Sequence, residues 1–148
     1  MKPVLLASII GFCAAVTSLL AEYGTGVQPF YGEYYAFVVP DEMVEHAPKW
    51  KDSEALPPLL PRDAAKAALQ QLTVMFALIP NWRVESITLK RIFPDVWIYL
   101  VEASDRSTSI AGIPWKLVVP VLMDGRTVPA IPISPDDPEV KQLQTKRT

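Results

Sequence analysis

The chain has 148 residues, of which 16 are acidic, 14 are basic and 15 are proline. About 130 residues remain once an N-terminal leader is set aside, which is enough for one domain and not for two. The net charge of −2 is unevenly distributed, because residues 22–63 are acidic and residues 64–148 are mildly basic, and neither part is basic enough to suggest a nucleic-acid surface. A proline content about twice the usual ~5% favours loops and sheet edges over long regular elements.

The N-terminus has the layout of a signal peptide over residues 1–21. Lys2 precedes an uncharged run over residues 3–21 that ends in small residues. Cleavage after Ala15 or Ser18 would export the protein to the periplasm or secrete it. An inner-membrane anchor formed by residues 3–21 is the alternative, because this run can just span a hydrocarbon core of about 30 Å, and a buried core helix is a third interpretation. The only cysteine, Cys13, lies in this leader, so the rest of the chain forms no disulfide, which fits a bacterial envelope.

Residues 22–60 predict an aromatic arm followed by a proline-rich connector. The stretch 28–39 is rich in Tyr, Phe and Val, which is typical of a short strand or an ordered arm. An exposed aromatic run is a liability, so we expect it to pack on the main domain. The stretch 40–61 holds five prolines with scattered charges and predicts an irregular connector.

One amphipathic helix is predicted over residues 61–79. Pro61 suits the first helical position, Asp63 suits the first turn, and Pro80 follows the end. The apolar residues recur at helical spacing on one broad face, which we expect to lie flat on a sheet. They are Ala65, Ala68, Leu69, Leu72, Met75, Phe76 and Ile79.

Three or four antiparallel strands are predicted after this helix. Residues 82–92 alternate consistently only if a bulge lies near Ser86. Residues 93–95 predict a turn, and residues 96–103 are apolar on both faces, which predicts a central strand. A polar loop over residues 104–114 and a further strand over residues 115–123 complete the predicted set.

Asp124-Gly125 separates two apolar alternating runs and predicts a type I′ turn with a positive φ at Gly125. The strand it opens, residues 127–133, contains Pro129 and Pro132, which cannot donate to a ladder, so this strand is predicted at a sheet edge. Residues 134–148 predict a flexible polar tail. The elements together predict an α+β domain over residues 61–133, in which one amphipathic helix packs on a three- to four-stranded antiparallel β-meander.

The order of these elements resembles the PepSY domain and similar cystatin-like layouts of one helix against an antiparallel meander. The resemblance covers residues 61–133 and is carried by the helix, by residues 84–87, 95–101 and 119–128, and by the Asp124-Gly125 turn. Pro94-Asp95 stands where the family usually has an Asp-Gly turn, and the family's closing D-x-x-T-G turn is absent. The resemblance implies an exported or envelope-associated domain that binds or restrains peptidases, and it transfers no site residue.

Residues 41–46 form the one cluster whose side chains suit a metal or a catalytic base. In a helix, Glu42 and His46 would lie one turn apart, with Asp41 and Glu45 on an adjacent face. A carboxylate and an imidazole at this spacing can ligate a metal or pair as base and orienting group. A structural zinc site needs four ligands and a catalytic one needs three, so Glu42 and His46 are weak candidates, and a solvated helix face is the favoured interpretation.

Two other sets of polar residues carry less chemistry. The predicted loop 104–114 is rich in Ser and Thr, but no G-x-S-x-G motif is present. Asp136-Asp137 lies in the predicted tail, where paired carboxylates would not be preorganised.

The four tryptophans could line a ligand groove, although we expect three of them in or at the rim of the core. They are Trp50, Trp82, Trp97 and Trp115.

The sequence therefore predicts no catalytic residue and no cofactor. The predicted function is that of a small, exported, non-catalytic module whose sheet face or edge binds a protein or peptide partner in the envelope or outside the cell. The alternative is a small hydrolase or ligand-binding, cone-shaped α+β domain that uses the single histidine, His46. Nucleic acid is not expected as a partner, and a membrane is expected only if the leader stays uncleaved.

Overall fold

A computed structural model describes residues 24–110 and 112–145 and shows an α+β protein with two antiparallel three-stranded sheets. The predicted signal peptide or anchor, residues 1–21, lies outside the described residues. Within the described part of the chain, none of the helices is long and apolar enough to cross a membrane. The elements are β1 (Gln28–Phe30), β2 (Glu33–Phe37), α1 (Asp41–Glu45), α2 (Pro61–Met75), β3 (Trp82–Phe93), β4 (Val96–Ile110), β5 (Ile113–Leu122), β6 (Ala130–Pro132) and α3 (Pro138–Thr145).

Helix α2 confirms the predicted amphipathic helix, with two differences. It ends at Met75, four residues earlier than predicted, because the backbone of Phe76 leaves the helical region at φ −122° and ψ 62°. The fully buried line consists of Ala64, Ala68 and Leu72, so the centre of the face is shifted by one residue from the predicted set. Two alanines in this line let the helix backbone lie close to the sheet, which explains why small residues occupy it.

Strands β3, β4 and β5 form the predicted meander, with β4 in the centre. The predicted bulge is confirmed, since the register of β3 against β4 shifts between Val84 and Ser86 and leaves Glu85 as the extra residue. Both faces of β4 are buried at Ile98 and Tyr99, as expected for a strand that is apolar on both sides.

The predicted polar loop over residues 104–114 is wrong. Strand β4 continues to Ile110, and β5 begins at Ile113 after a tight turn in which Gly112 has φ +81°. The pairing of β4 with β5 shifts register between Asp105 and Ser109, and polar side chains of this stretch find local partners. The Ser104 hydroxyl donates to Glu85 Oε1 at 2.6 Å, and the backbone N–H of Ser107 donates to Asp105 Oδ1 at 2.8 Å.

The turn after β5 differs in type from the prediction. Gly125 has the predicted positive φ, +84°, but Asp124 does not share it, so the turn is not type I′. The N–H of Gly125 donates to Leu122 O, and the N–H of Leu122 donates to Arg126 O, both at 2.9 Å. This pattern is a three-residue hairpin loop in which the glycine occupies the left-handed position of a bulge.

The strand that follows this turn leaves the meander. Only one bridge, between Val121 and Thr127, links it to β5, and β6 then pairs with β2 in the other sheet. The predicted edge position is confirmed, because β6 is the outermost strand in the order β1-β2-β6. Pro132 stands opposite Tyr35, and an edge strand tolerates its missing N–H.

The predicted aromatic arm is a β-hairpin formed by β1 and β2. Its two-residue turn, Tyr31-Gly32, has positive φ at both positions, +52° and +82°, which is the signature of a type I′ turn. Phe30 and Phe37 are buried, so the arm packs on the domain as expected. The hairpin was missed because tyrosine is a rare residue at a left-handed position.

Two segments hold helices that the sequence did not predict. The connector contains α1, which buries Val44. The tail contains α3, in which Val140 is fully buried. The carboxylate of Asp137 accepts a hydrogen bond from the N–H of Glu139 at 2.9 Å and so caps the first turn of α3. An Asp-Pro-Glu sequence is a recognisable helix start, and this signal could have predicted the helix.

Candidate functional site

The first candidate from the sequence, Glu42 and His46, lies on α1 and just after it. His46 caps the C-terminus of this five-residue helix, and its Nδ1 lies 2.7 Å from the carbonyl oxygen of Glu42. Both side chains are exposed, as are those of Asp41 and Glu45. Across the described residues, no group of three or more His, Cys, Asp or Glu side chains is close enough to hold a metal ion. Glu42 and His46 do line one shallow cavity of about 290 Å³, together with Met43 and Arg126.

Six aromatic rings form a cluster where the β1-β2 hairpin meets the meander. Phe30 lies at its centre, with its ring stacked on Trp82 at 5.5 Å between centroids and 6.3 Å from Trp115. Tyr31 stacks on Trp115 at 5.3 Å and meets the Phe30 ring edge to face at 4.8 Å. This cluster attaches the hairpin to the sheet, and Trp115 also lines an open groove of about 550 Å³ together with Gln28, Pro29 and Lys116. The remaining rings that contact Phe30 are those of Phe76 and Tyr35.

A buried carboxylate anchors the turn of the hairpin. Asp105 is only 1% exposed and accepts a hydrogen bond from the Tyr31 hydroxyl at 2.5 Å. Burial of this hydroxyl, together with its bond to Asp105, raises the pKa of Tyr31 to about 12. The left-handed backbone of Tyr31 costs free energy, of the order of 1–3 kcal/mol for such positions, and this contact explains why it is kept. Within the cluster, Trp82 Nε1 is buried with no hydrogen-bond partner among the described residues.

The other two tryptophans fasten the connector to the turn end of the meander. Their rings lie 5.4 Å apart, and Trp97 Nε1 donates to the carbonyl oxygen of Trp50 at 3.2 Å. The guanidinium of Arg91 lies over the Trp97 ring at 5.2 Å. The expectation that three tryptophans pack at the rim of the core is confirmed, since Trp82, Trp97 and Trp115 all contact it while partly buried.

The outer edge of β5 is closed by side chains. The Gln28 side-chain amide bonds both backbone groups of Val118, accepting from its N–H at 2.7 Å and donating to its carbonyl at 3.0 Å. Both groups of Val118 therefore point away from β4. Alternation along the strand gives residues 114, 116 and 120 the same orientation, and Pro114 and Pro120 have no N–H to offer. An added strand would find at most one free donor there, on Lys116.

Among residues 24–110 and 112–145, nothing pairs with the outer edge of β3. The backbone N–H and carbonyl of Val118 point away from β4, so the backbone groups of Glu102, which lies opposite Val118 on β4, point toward β3. The same hydrogen-bonded ladder continues through the pairs of Leu100 with Thr88 and of Ile98 with Lys90. The residues between these pairs must therefore direct their backbone groups outward. They are Ile87, Leu89 and Arg91. No hydrogen bond to their outward groups occurs within the described part of the chain.

Helix α2 forms a shelf beside this open edge. Its Gln71 and Met75 contact the first sheet, since Gln71 Oε1 accepts from Thr127 at 2.9 Å and Met75 Sδ accepts from the N–H of Ala130 at 3.3 Å. The first sheet lies on the β5 side of the meander, so the opposite flank of α2 faces β3. Helical geometry places Ala65 and Leu69 on that flank. We name this edge and flank the β3 edge groove; its residues are Ile87, Leu89, Arg91, Ala65 and Leu69.

The sequence did not identify this groove. A run such as 82–92 can be recognised as a strand, but the order of strands in the sheet is a non-local property. One signal was available on the other strand, because Pro114 and Pro120 lie an even number of residues apart and so block the same edge of β5.

Comparison of the chain with protein-family models, with curated proteins and with solved structures finds no match.

Proposed function

We propose that the chain is a small, exported, non-catalytic binding module that takes up an extended segment of a protein or peptide partner as an additional strand on β3. The observation that carries this proposal is the contrast between the two edges of the meander. The edge of β5 is closed by two prolines and Gln28, whereas β3 offers three consecutive outward positions over a strand of twelve residues. Unpaired strand edges are the surfaces on which strand addition occurs.

The energetics favour a weak or moderate main-chain contribution. Each hydrogen bond formed at Ile87, Leu89 or Arg91 contributes about 0.5–1.5 kcal/mol net. Ordering an extended segment costs about 2–5 kcal/mol. Main-chain bonds alone are therefore barely sufficient, and side-chain contacts with the shelf of α2 must supply the remaining affinity and the specificity.

Export and the class of partner rest on the sequence. The run over residues 3–21 supports transfer out of the cytosol, either by cleavage or as an anchored protein. The resemblance to PepSY domains makes a peptidase the first partner to test. A propeptide in extended conformation would add to such a strand edge.

The alternative, a small hydrolase built on His46, has less support. The carbonyl oxygen of Glu42 orients the imidazole through Nδ1, but the side chain is exposed, and the described residues that line the cavity beside it, Glu42, Met43, His46 and Arg126, include no Ser, Thr or Cys nucleophile. A His46→Ala variant should retain binding by the module. Loss of binding or of any measured turnover in a folded His46→Ala protein would favour the alternative.

Photo-crosslinking from two matched positions tests the proposal. Thr88 and Lys116 are both exposed and lie on the same face of the meander, at opposite edges. A photoreactive residue at position 88 should yield an adduct with a partner from envelope or secreted extract, and one at position 116 should not. Adducts of equal yield from both positions, or from position 116 alone, would contradict binding at the β3 edge.

A further inference from the structure

Three cations near the β3 edge groove lack an acidic partner. Lys66 lies on α2, and Arg83 and Lys90 lie on β3, and within the described residues none of them forms an ion pair. Elsewhere on the meander cations are paired closely, as in Lys116 with Glu102 at 2.8 Å. These three charges are therefore available to a ligand.

The acids of this region are already occupied. Glu85 accepts from Ser104 and from Arg106, and these two contacts hold its pKa below the usual value. Asp52 pairs with Arg91 at 3.5 Å, and Asp63 lies 3.8 Å from Arg62. A negatively charged ligand would thus meet unpaired cations and carboxylates that already have partners.

The two faces of β3 differ in character. On the α2 side, Ile87 and Leu89 lie beneath the apolar flank of the helix. Arg83, Thr88 and Lys90 share the opposite face of the sheet, because their partners on β4 (Ser104, Leu100 and Ile98) all lie on that face. Thr88 stands between the two cations along the strand. A strand added to β3 directs successive side chains to alternate faces. It would place every second residue against apolar groups and the residues between them beside cations.

We propose that the β3 edge groove selects extended segments in which acidic residues alternate with apolar ones. The apolar residues face Ala65 and Leu69, and the acidic residues face Arg83 and Lys90. This inference rests on the proposed strand addition and specifies the chemistry of its ligand. A second copy of this chain is a poor ligand, because β3 would bring its own Arg83 and Lys90 to the same face.

Synthetic peptides of about nine residues, a usual strand length, test the inference on the purified protein. The first alternates Glu and Val, the second alternates Lys and Val, and the third has the composition of the first in blocks of like residues. Affinity is measured by titration, and the site by amide exchange at Ile87 and Leu89. The Glu–Val peptide should bind at least tenfold more tightly than either of the others and should protect both amides.

Charge reversal on the protein gives the matched control. Lys90→Glu should weaken binding of the Glu–Val peptide about fivefold to tenfold, as expected when one exposed attraction becomes a repulsion, and added salt should reduce this difference. Lys141→Glu, on α3, should change the affinity less than twofold. Equal effects of the two reversals would contradict a role for the cations of the groove.

The outcomes separate the two proposals. Equal binding of the Glu–Val and Lys–Val peptides, with protection of Ile87 and Leu89, would refute acidic selectivity and leave strand addition intact. If no peptide protects these amides, strand addition itself is refuted. Protection that appears with rising protein concentration alone would show self-association and contradict the proposed ligand.

Discussion

The closure of the β5 edge by Gln28 makes a sharp prediction. In Gln28→Ala, the N–H and carbonyl of Val118 lose their bonds of 2.7 and 3.0 Å, and Thr25 loses a bond of 2.7 Å to the same amide. Two of these three bonds involve backbone groups that would otherwise be unpaired at a half-buried edge. At about 0.5–1.5 kcal/mol for each net hydrogen bond, the loss of three bonds should lower the free energy of unfolding by about 1.5–4.5 kcal/mol.

Urea denaturation measures this loss, with Gln70→Ala as the control. Gln70 is exposed on α2, and a surface substitution of this kind changes stability by less than about 0.5 kcal/mol. Opening the β5 edge should also promote association between molecules, which sedimentation at increasing concentration detects. If Gln28→Ala is as stable and as monomeric as Gln70→Ala, the closed edge is not maintained by Gln28 and the contrast between the two edges is lost.

Three further predictions follow from the core, the turn and the hairpin. Leu72→Ala, at a fully buried position, should cost about 2–5 kcal/mol in urea denaturation, and a cost as small as that of Lys66→Ala would refute the packing of α2. Gly125→Val should cost about 1–3 kcal/mol, because its Cβ has room but its φ is +84°, whereas Gly26→Val, in open space, should cost little. Because the pKa of Tyr31 is raised from 10.0 to about 12, its contribution to stability should be complete below about pH 10 and decline toward pH 12. Tyr35, whose pKa is also raised to about 12, contributes in the same range, so Tyr31→Phe should make the decline shallower without abolishing it, and an unchanged profile would contradict the role of Tyr31.

Local patterns predicted the parts of the fold that local chemistry determines. Apolar spacing and Pro61 located α2, and the broken alternation of 82–92 located the bulge at Glu85. The loop predicted over residues 104–114 failed because polarity was taken as a sign of exposure. Asp105 is buried with its hydrogen bonds satisfied, and nothing in the residue types distinguishes that state from a solvated loop.

The second sheet lay beyond sequence reasoning for a different reason. The pairing of β6 with β2 joins residues almost a hundred positions apart, and no local pattern encodes such a contact. Tyr31-Gly32 also lacks the usual Asn or Asp of a type I′ turn. Its conformation depends on the stack with Trp115 and the bond to Asp105, both of which require the finished fold.

The candidate site was predictable only in kind. The sequence favoured a sheet face or edge as the binding surface, but it could not say which edge, because that depends on strand order. The weak candidates Glu42 and His46 drew attention because of their chemistry, and they are exposed on α1. The cations Arg83 and Lys90 become meaningful only once β3 is known to lie at the open edge.

Amide hydrogen exchange along β3 tests the central claim most directly. In the free protein, the N–H groups of Thr88 and Lys90 should exchange slowly because they bond to β4, and those of Ile87, Leu89 and Arg91 should exchange rapidly. Addition of the alternating Glu–Val peptide should slow the second set and leave the first unchanged. Slow exchange of all five amides in the free protein, or protection by the peptide elsewhere and not at these three, would contradict an open β3 edge that binds an added strand.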